Sequence, residues 1–213
     1  MQPRKWGLHR ISEKNILTGL WLIGFRFATP ADSSALLRIY GQYLDTAITF
    51  EYTLPTEAEF AARISDILRG YPYLIWEENG AILGYAYAHR AQERQAYQWN
   101  AELSVYVEKN CLSHGIGKRL YRALFALLKL QGIRTVYGVV TVPNEKNEGL
   151  HRALGFRLIG IYRHAGYKCG AWRDVAWFEK VLAPYAPDPQ PPLPITALPE
   201  AVISDILQAA SQI

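Results

Sequence analysis

Glu102 heads a short alternating run, E-L-S-V-Y-V, and a glycine pair, Gly115 and Gly117, follows closely. Side chains alternate along a strand, so Glu102, Ser104 and Tyr106 share one face and Leu103, Val105 and Val107 the other. The second set is apolar and belongs in a core. The first joins a carboxylate, a hydroxyl and a phenol, which suits either a solvent-facing strand or the wall of a site. The glycines precede an amphipathic stretch with Leu120, Leu124, Leu127 and Leu128 on one face. Glycines at a helix start let the backbone approach an anion closely, and the free N–H groups there favour negative charge. Residues 102–120 therefore offer an anion cradle beside a candidate general base.

The rest of the chain must position that segment. Residues 25–28 alternate like a short strand, and T-P-A-D at 29–32 reads as a helix start. Leu36, Leu37, Ile39, Tyr40, Tyr43 and Leu44 follow at helical spacing. A second helix is predicted over 56–69, where Thr56 and Glu59 have capping-box spacing. Strands at 73–76 and 81–89 flank an Asn79-Gly80 turn. A polar loop at 90–98 leads to the strand 101–107, the helix 115–130 and a β-branched strand at 135–140. After Pro143 and Asn144 a short helix ends at Gly155, and strands at 156–163 and 174–181 close the order. The sequence β-α-α-β-β-β-α-β-α-β-β predicts an α/β (α+β) sandwich: a mixed, largely antiparallel sheet flanked by helices. Residues 1–24 form an N-terminal extension, residues 25–183 one domain, and residues 184–213 a Pro-rich tail. The tail is expected to run extended without a core of its own, then to form a short amphipathic helix through Ala201, Ile203, Ile206 and Leu207.

A chain of 213 residues, half hydrophobic and a fifth charged, suits one globular domain. Its net charge of +4 is scattered, which argues against a nucleic-acid surface and suits a small anionic ligand. Cys111 and Cys169 make no disulfide framework and point to free thiols in a reducing, cytoplasmic setting. The apolar run at 16–27 is interrupted by Thr18, Gly19, Gly24 and Arg26 and is too short to span a bilayer. It is read as packing on the body or adding an edge strand, with no membrane partner.

Further motifs lie downstream: V-P-N at 142–144, L-H-R-A-L-G-F at 150–156 and A-G-Y-K-C-G-A-W-R-D-V at 165–175. With A-Y-Q-W at 96–99, A-E-L-S-V-Y-V at 101–107 and L-Y-R-A-L at 120–124, the chain resembles the GNAT N-acetyltransferases, and within them the phosphinothricin N-acetyltransferase group. The resemblance implies acetyl-CoA as cosubstrate, no metal, a small amino-acid-like acceptor and a homodimer. It implies that the backbone of Val105, Tyr106 and Val107 pairs with the pantetheine arm. Ser113, His114, Gly115, Ile116, Gly117 and Lys118 would hold the pyrophosphate, and Asn144 would contact the cofactor arm. Glu102 aligns with the family's general base and His151 with its active-site histidine. Phe50, Arg94, Ser104 and Tyr106 align with substrate contacts. Two positions depart from the pattern: Leu112, where the loop usually has Arg or Gln, and Gln92, where the family has a lysine accompanying Arg94. Asp174 is read as structural. Glu102 has a second reading as an anchor for the substrate ammonium, and His151 as a packed helix-end residue. The fold could also serve an acyl-CoA-binding or protein-interaction module, or an acetyltransferase acting on proteins.

Overall fold

A computed structural model describes residues 23–212. The expectation for the N-terminal extension falls on residues 1–22 and lies outside the described residues, except at its end. There β1 (Ile23–Phe27) pairs antiparallel with β2 (Tyr73–Glu78) as an edge strand.

α1 (Ser33–Gly41) follows a 3-10 turn at Pro30–Asp32. α2 (Glu57–Leu68) starts at the predicted capping box, where the Thr56 hydroxyl accepts from the Glu59 N–H and Glu59 accepts from the Thr56 N–H at 2.8 Å. β2 turns into β3 (Ala81–Arg90) through Asn79 and Gly80, at φ 53° and 78°. Both lie in the left-handed region that a two-residue hairpin of this hand requires. β4 (Asn100–Val107), α3 (Ile116–Gln131), β5 (Thr135–Val142), α4 (Glu145–Ala153), β6 (Arg157–Lys168) and β7 (Ala171–Val181) complete the predicted order.

The seven strands form one sheet in the order β1-β2-β3-β4-β5-β7-β6, and only β4 and β5 run parallel. One face carries α1 and α2 over Tyr73, Ile75 and Tyr85. The other carries α3 over Leu74, Trp76, Ala86, Ala101, Leu103, Val136 and Phe178. This is the mixed sandwich expected from the sequence.

Two elements differ from expectation. The last hairpin is longer than the predicted pair, reaching Lys168 and Ala171 around a Cys169-Gly170 turn with φ 52° and 73°. Its register shifts between Tyr162 and Gly166 erase the period-two pattern that would have marked these residues as strand. The tail also does more than run extended. Ile195 is fully buried, and Leu198, Ile203 and Ala210 join the α3-side core with α5 (Glu200–Ser211). Backbone bonds strap it down: Leu193 N–H donates to Gln131 O at 2.8 Å, and Ile195 N–H to Gly70 O at 3.0 Å. The Gln131 side chain donates to both Gly70 O and Leu193 O at 2.7 Å.

Replacing Ile195 with alanine removes a fully enclosed side chain. Ile195→Ala is expected to lower unfolding free energy by about 2–5 kcal/mol, measured by urea denaturation. A loss below about 0.5 kcal/mol, typical of surface substitutions, would mean the tail is not part of the cooperative core.

Candidate active site

β4 and β5 pair only from Asn100↔Thr135 to Leu103↔Gly138. Beyond that β4 continues to Val107 beside β3, and β5 to Val142 beside β7. The strands part in the middle of the sheet. Antiparallel pairing alternates which residues bond a given neighbour. Glu108 N–H donates to Leu83 O, so Glu102, Ser104 and Tyr106 bond β3, while Leu103, Val105 and Val107 direct their polar groups toward β5. At Val105 that side is the gap, which leaves a main-chain N–H and C=O without a strand partner. The Val107 carbonyl accepts from the Tyr43 hydroxyl at 2.5 Å. Of the three residues expected to offer backbone to the gap, Val105 offers both groups, Val107 its N–H, and Tyr106 is committed to β3.

The glycine loop adjoins the far end of β4. Ser113 and Gly115 take left-handed φ of 67° and 82°, which turns the chain into α3. A Cβ built on Gly115 would meet nothing within 4 Å, and Gly117 lies against Val105 and Leu150. Ser113, His114 and Lys118 are exposed and Ile116 is buried as the anchor of the turn. The N–H groups of the first turn have no helical acceptor. α1 clamps the loop's entry: Arg38 bonds Glu108 at 2.7 Å, and Gln42 accepts from the Lys109 N–H at 2.9 Å. Leu112 is exposed at the loop's edge.

Glu102 lies on the opposite side of the sheet from α3. Its face continues through Ser104 and Tyr106, which register with Tyr87 and Tyr85. Tyr106 packs edge-on against Tyr40 at 5.0 Å and meets Tyr85 at 5.4 Å. Burial raises the hydroxyl pKa of Tyr85, Tyr87 and Tyr106, so these phenols stay neutral. Burial likewise pushes the Glu102 carboxyl up, and nearby His89 opposes it. The Glu102 side chain keeps 23% exposure, enough to meet a ligand.

His151 is 2% exposed on the α3 side. Its Nδ1–H donates to Asn147 O at 2.9 Å, and its ring stacks on Phe178 at 5.3 Å. Its Nε2 is buried without a partner in the protein. Burial lowers its pKa, so the imidazole is neutral near pH 7. A Cβ on Gly138 would stand 2.0 Å from Nε2. Glu102 and His151 thus sit on opposite faces of the sheet, and His151 marks the point where β4 and β5 part. Asn144 caps α4, its Oδ1 accepting from the Asn147 N–H at 3.2 Å.

Phe50 stands half out of the surface, with its ring where a Cβ on Gly166 would fall. The loop that carries it is tied to the β6–β7 tip: the Tyr52 hydroxyl donates to Tyr167 O, and Lys168 Nζ to Glu51 O. Asp174 is structural, as expected: it accepts from Arg163 at 2.6 Å and from the His164 N–H at 2.9 Å. Arg94 is exposed before the 3-10 turn Gln95–Tyr97 and lines neither of two cavities on this face. One cavity, about 370 Å³, is lined by Tyr40, Glu51, Arg63, Tyr87 and His89. The other, about 380 Å³, is lined by Gln92, Tyr97, Tyr137, Tyr162 and Trp177. Among the described residues no cluster of His, Cys, Asp or Glu could hold a metal ion, and no helix is long and apolar enough to cross a membrane.

Comparison with known proteins agrees with this geometry. Residues 25–177 match the family model described as an acetyltransferase (GNAT) domain. A phosphinothricin N-acetyltransferase of Streptomyces viridochromogenes is 34% identical over 83% of this chain and 96% of its own. An L-methionine sulfoximine/L-methionine sulfone acetyltransferase of Salmonella typhimurium is 30% identical over 75% of this chain and 94% of its own. A crystal structure of a phosphinothricin acetyltransferase from Sinorhizobium meliloti in complex with AcCoA superposes with a TM-score of 0.75. It is 36% identical and covers 79% of this chain and 93% of that one. A sheet that parts beside a glycine-opened helix is thus the frame of an acyltransferase. The chain belongs to the GNAT acetyltransferase family, and acetyl-CoA is its cosubstrate. The residues present fit that group: an unpaired Val105 backbone, an open glycine turn and the start of α3 lie in succession.

Sequence reasoning missed His89 and Gly138. Neither stands in a motif, and each acquires meaning only through strand register. Gly138→Ala forces a Cβ onto the His151 ring. It is expected to destabilise the protein by about 1–3 kcal/mol, read as a lower melting temperature. Gly149→Ala, with nothing within 4 Å of the added Cβ, should show no such loss.

Proposed function

We propose that the protein transfers the acetyl group of acetyl-CoA to the α-amine of a small amino-acid-like acceptor, of the phosphinothricin, methionine sulfone or sulfoximine type. The observation that carries this reading is the position of Glu102: a half-shielded carboxylate one residue before the strands part, beside an unpaired Val105 backbone. The relatives named for phosphinothricin and for methionine sulfoximine or sulfone support the acceptor class.

Transfer is direct. An α-ammonium is protonated at neutral pH and cannot attack until a proton leaves. Glu102 takes that proton, the amine nitrogen forms the new C–N bond, the C–S bond breaks with its electron pair leaving on sulfur, and the second proton that nitrogen sheds in becoming an amide neutralises the thiolate. The Val105 N–H is placed to stabilise the oxyanion. His151, neutral and without a free donor, is read as setting the shape of the gap and offering an acceptor, not as the acid that protonates sulfur. On the other face, Gln92 lines a cavity of tyrosine, tryptophan and amide groups without a charged side chain. That lining favours an uncharged sulfone or sulfoximine head over a singly anionic phosphinate.

The enzyme is read as a cytoplasmic homodimer. β6 is an edge strand with Leu158, Ile159, Ile161 and Tyr162 exposed, and such an edge is suited to a second copy.

A thiol-release assay across amino-acid analogues should give higher kcat/KM for methionine sulfone or sulfoximine than for phosphinothricin. No thiol release with any of them would sink the reading. Glu102→Gln should keep acetyl-CoA binding by calorimetry and lose about 10²–10⁴-fold in kcat; an unchanged kcat rejects the base. Light scattering should return twice the chain mass, and a monomer would refute the dimer.

A further inference from the structure

We propose that His89 is a positioning residue for Glu102: its imidazolium, 3.8 Å from the carboxylate, holds Glu102 ionised among buried phenols and sets the acid limit of activity. The inference rests on Glu102 acting as the base.

His89 and Glu102 are register partners on β3 and β4, so their side chains leave the sheet on the same face. The Nδ1 of His89 lies 3.0 Å from Arg90 O. A carbonyl only accepts, so Nδ1 carries a proton and Nε2 is the nitrogen turned toward Glu102. Across 3.8 Å the pair is too long for a hydrogen bond but well within Coulombic reach. A carboxylate in a poorly solvated site drifts toward its neutral form unless an opposite charge holds it ionised.

The other groups facing the pair do not supply that charge. Arg63 of α2 lines the cavity with His89 but is bound to Glu51 at 2.7 Å. Asp66 of α2 and Glu51 of the preceding link are acidic and work the other way. Tyr87, whose ring lies 6.0 Å from that of His89, and Tyr137, the β5 partner of Glu102, are phenols raised by burial. From the far face, Tyr121 of α3 is a buried phenol as well. Burial pushes the Glu102 carboxyl up, and among the described residues His89 is the charge that pulls it down. In the range where a buried carboxylate titrates, an imidazole is ordinarily protonated.

The sign follows. Without the cation Glu102 holds its proton to higher pH, and a protonated carboxyl cannot accept one from the ammonium. The test compares wild type with His89→Gln, His89→Lys and Glu102→Gln. One readout is independent of turnover: the pH titration of side-chain carboxyl carbons by NMR, with the Glu102 signal assigned by its loss in Glu102→Gln. The second is the pH dependence of kcat/KM with L-methionine sulfone at saturating acetyl-CoA. In His89→Gln the Glu102 midpoint and the acid limb should both move up by about one unit. His89→Lys, which restores a cation, should bring both back toward wild type. A Glu102 midpoint that stays put in His89→Gln overturns the proposal, as does a shift that His89→Lys fails to reverse. Failure of the base reading looks different: Glu102→Gln then keeps both its rate and its acid limb. A moved NMR midpoint with an unmoved acid limb would likewise place the fault with the base, and the proposal falls with it.

Discussion

The parallel pairing of β4 with β5 lasts only four residues on each strand, and the rest of the site depends on where it stops. A fully paired β5 would consume the backbone of Val105 and leave no opening through the sheet. Gly138, the last paired residue of β5, has the His151 ring where a side chain would stand. The ring is fixed in turn by Asn147 and by Phe156 and Phe178. The gap is thus a packing outcome, set by one missing Cβ and one buried ring, and it is as rigid as the core that makes it.

That opening divides the labour between two faces. On the α3 side lie unpaired main-chain donors and a helix start, a setting that suits an anionic, extended group. On the α1 and α2 side, buried tyrosines surround one carboxylate. Charges there pair off: Glu51 with Arg63, Asp66 with Arg69, Glu102 with His89. Low polarity strengthens hydrogen bonds in such a place, and it also makes the ionisation state of the carboxylate the quantity most easily disturbed.

Much of this was legible in the chain, because it was local. The alternation of Glu102, Ser104 and Tyr106, the capping box at Thr56, the Asn79-Gly80 turn and the glycines before α3 each announce themselves within a few residues. What stayed hidden was non-local. His89 faces Glu102 only because β3 and β4 pair in one register, and a long polar connection between strands does not fix register as a two-residue turn does. Gly138 reads as an ordinary strand glycine until the helix that fills its place is in view. Proline concealed the tail, whose buried Ile195 and Leu198 have no period to betray them. The end of the last hairpin was masked by its own bulge.

The ties between the Phe50 loop and the β6–β7 tip have an evolutionary consequence. Tyr52, Lys168 and Cys169 join these segments through main-chain carbonyls of residues 167, 51 and 45, so the attachment reads backbone and not side-chain identity at its receiving end. Neighbouring side chains are then free to drift while the frame is retained. Sequence in such a lineage can diverge by exchanging residues within this joined patch, with the backbone frame inherited unchanged.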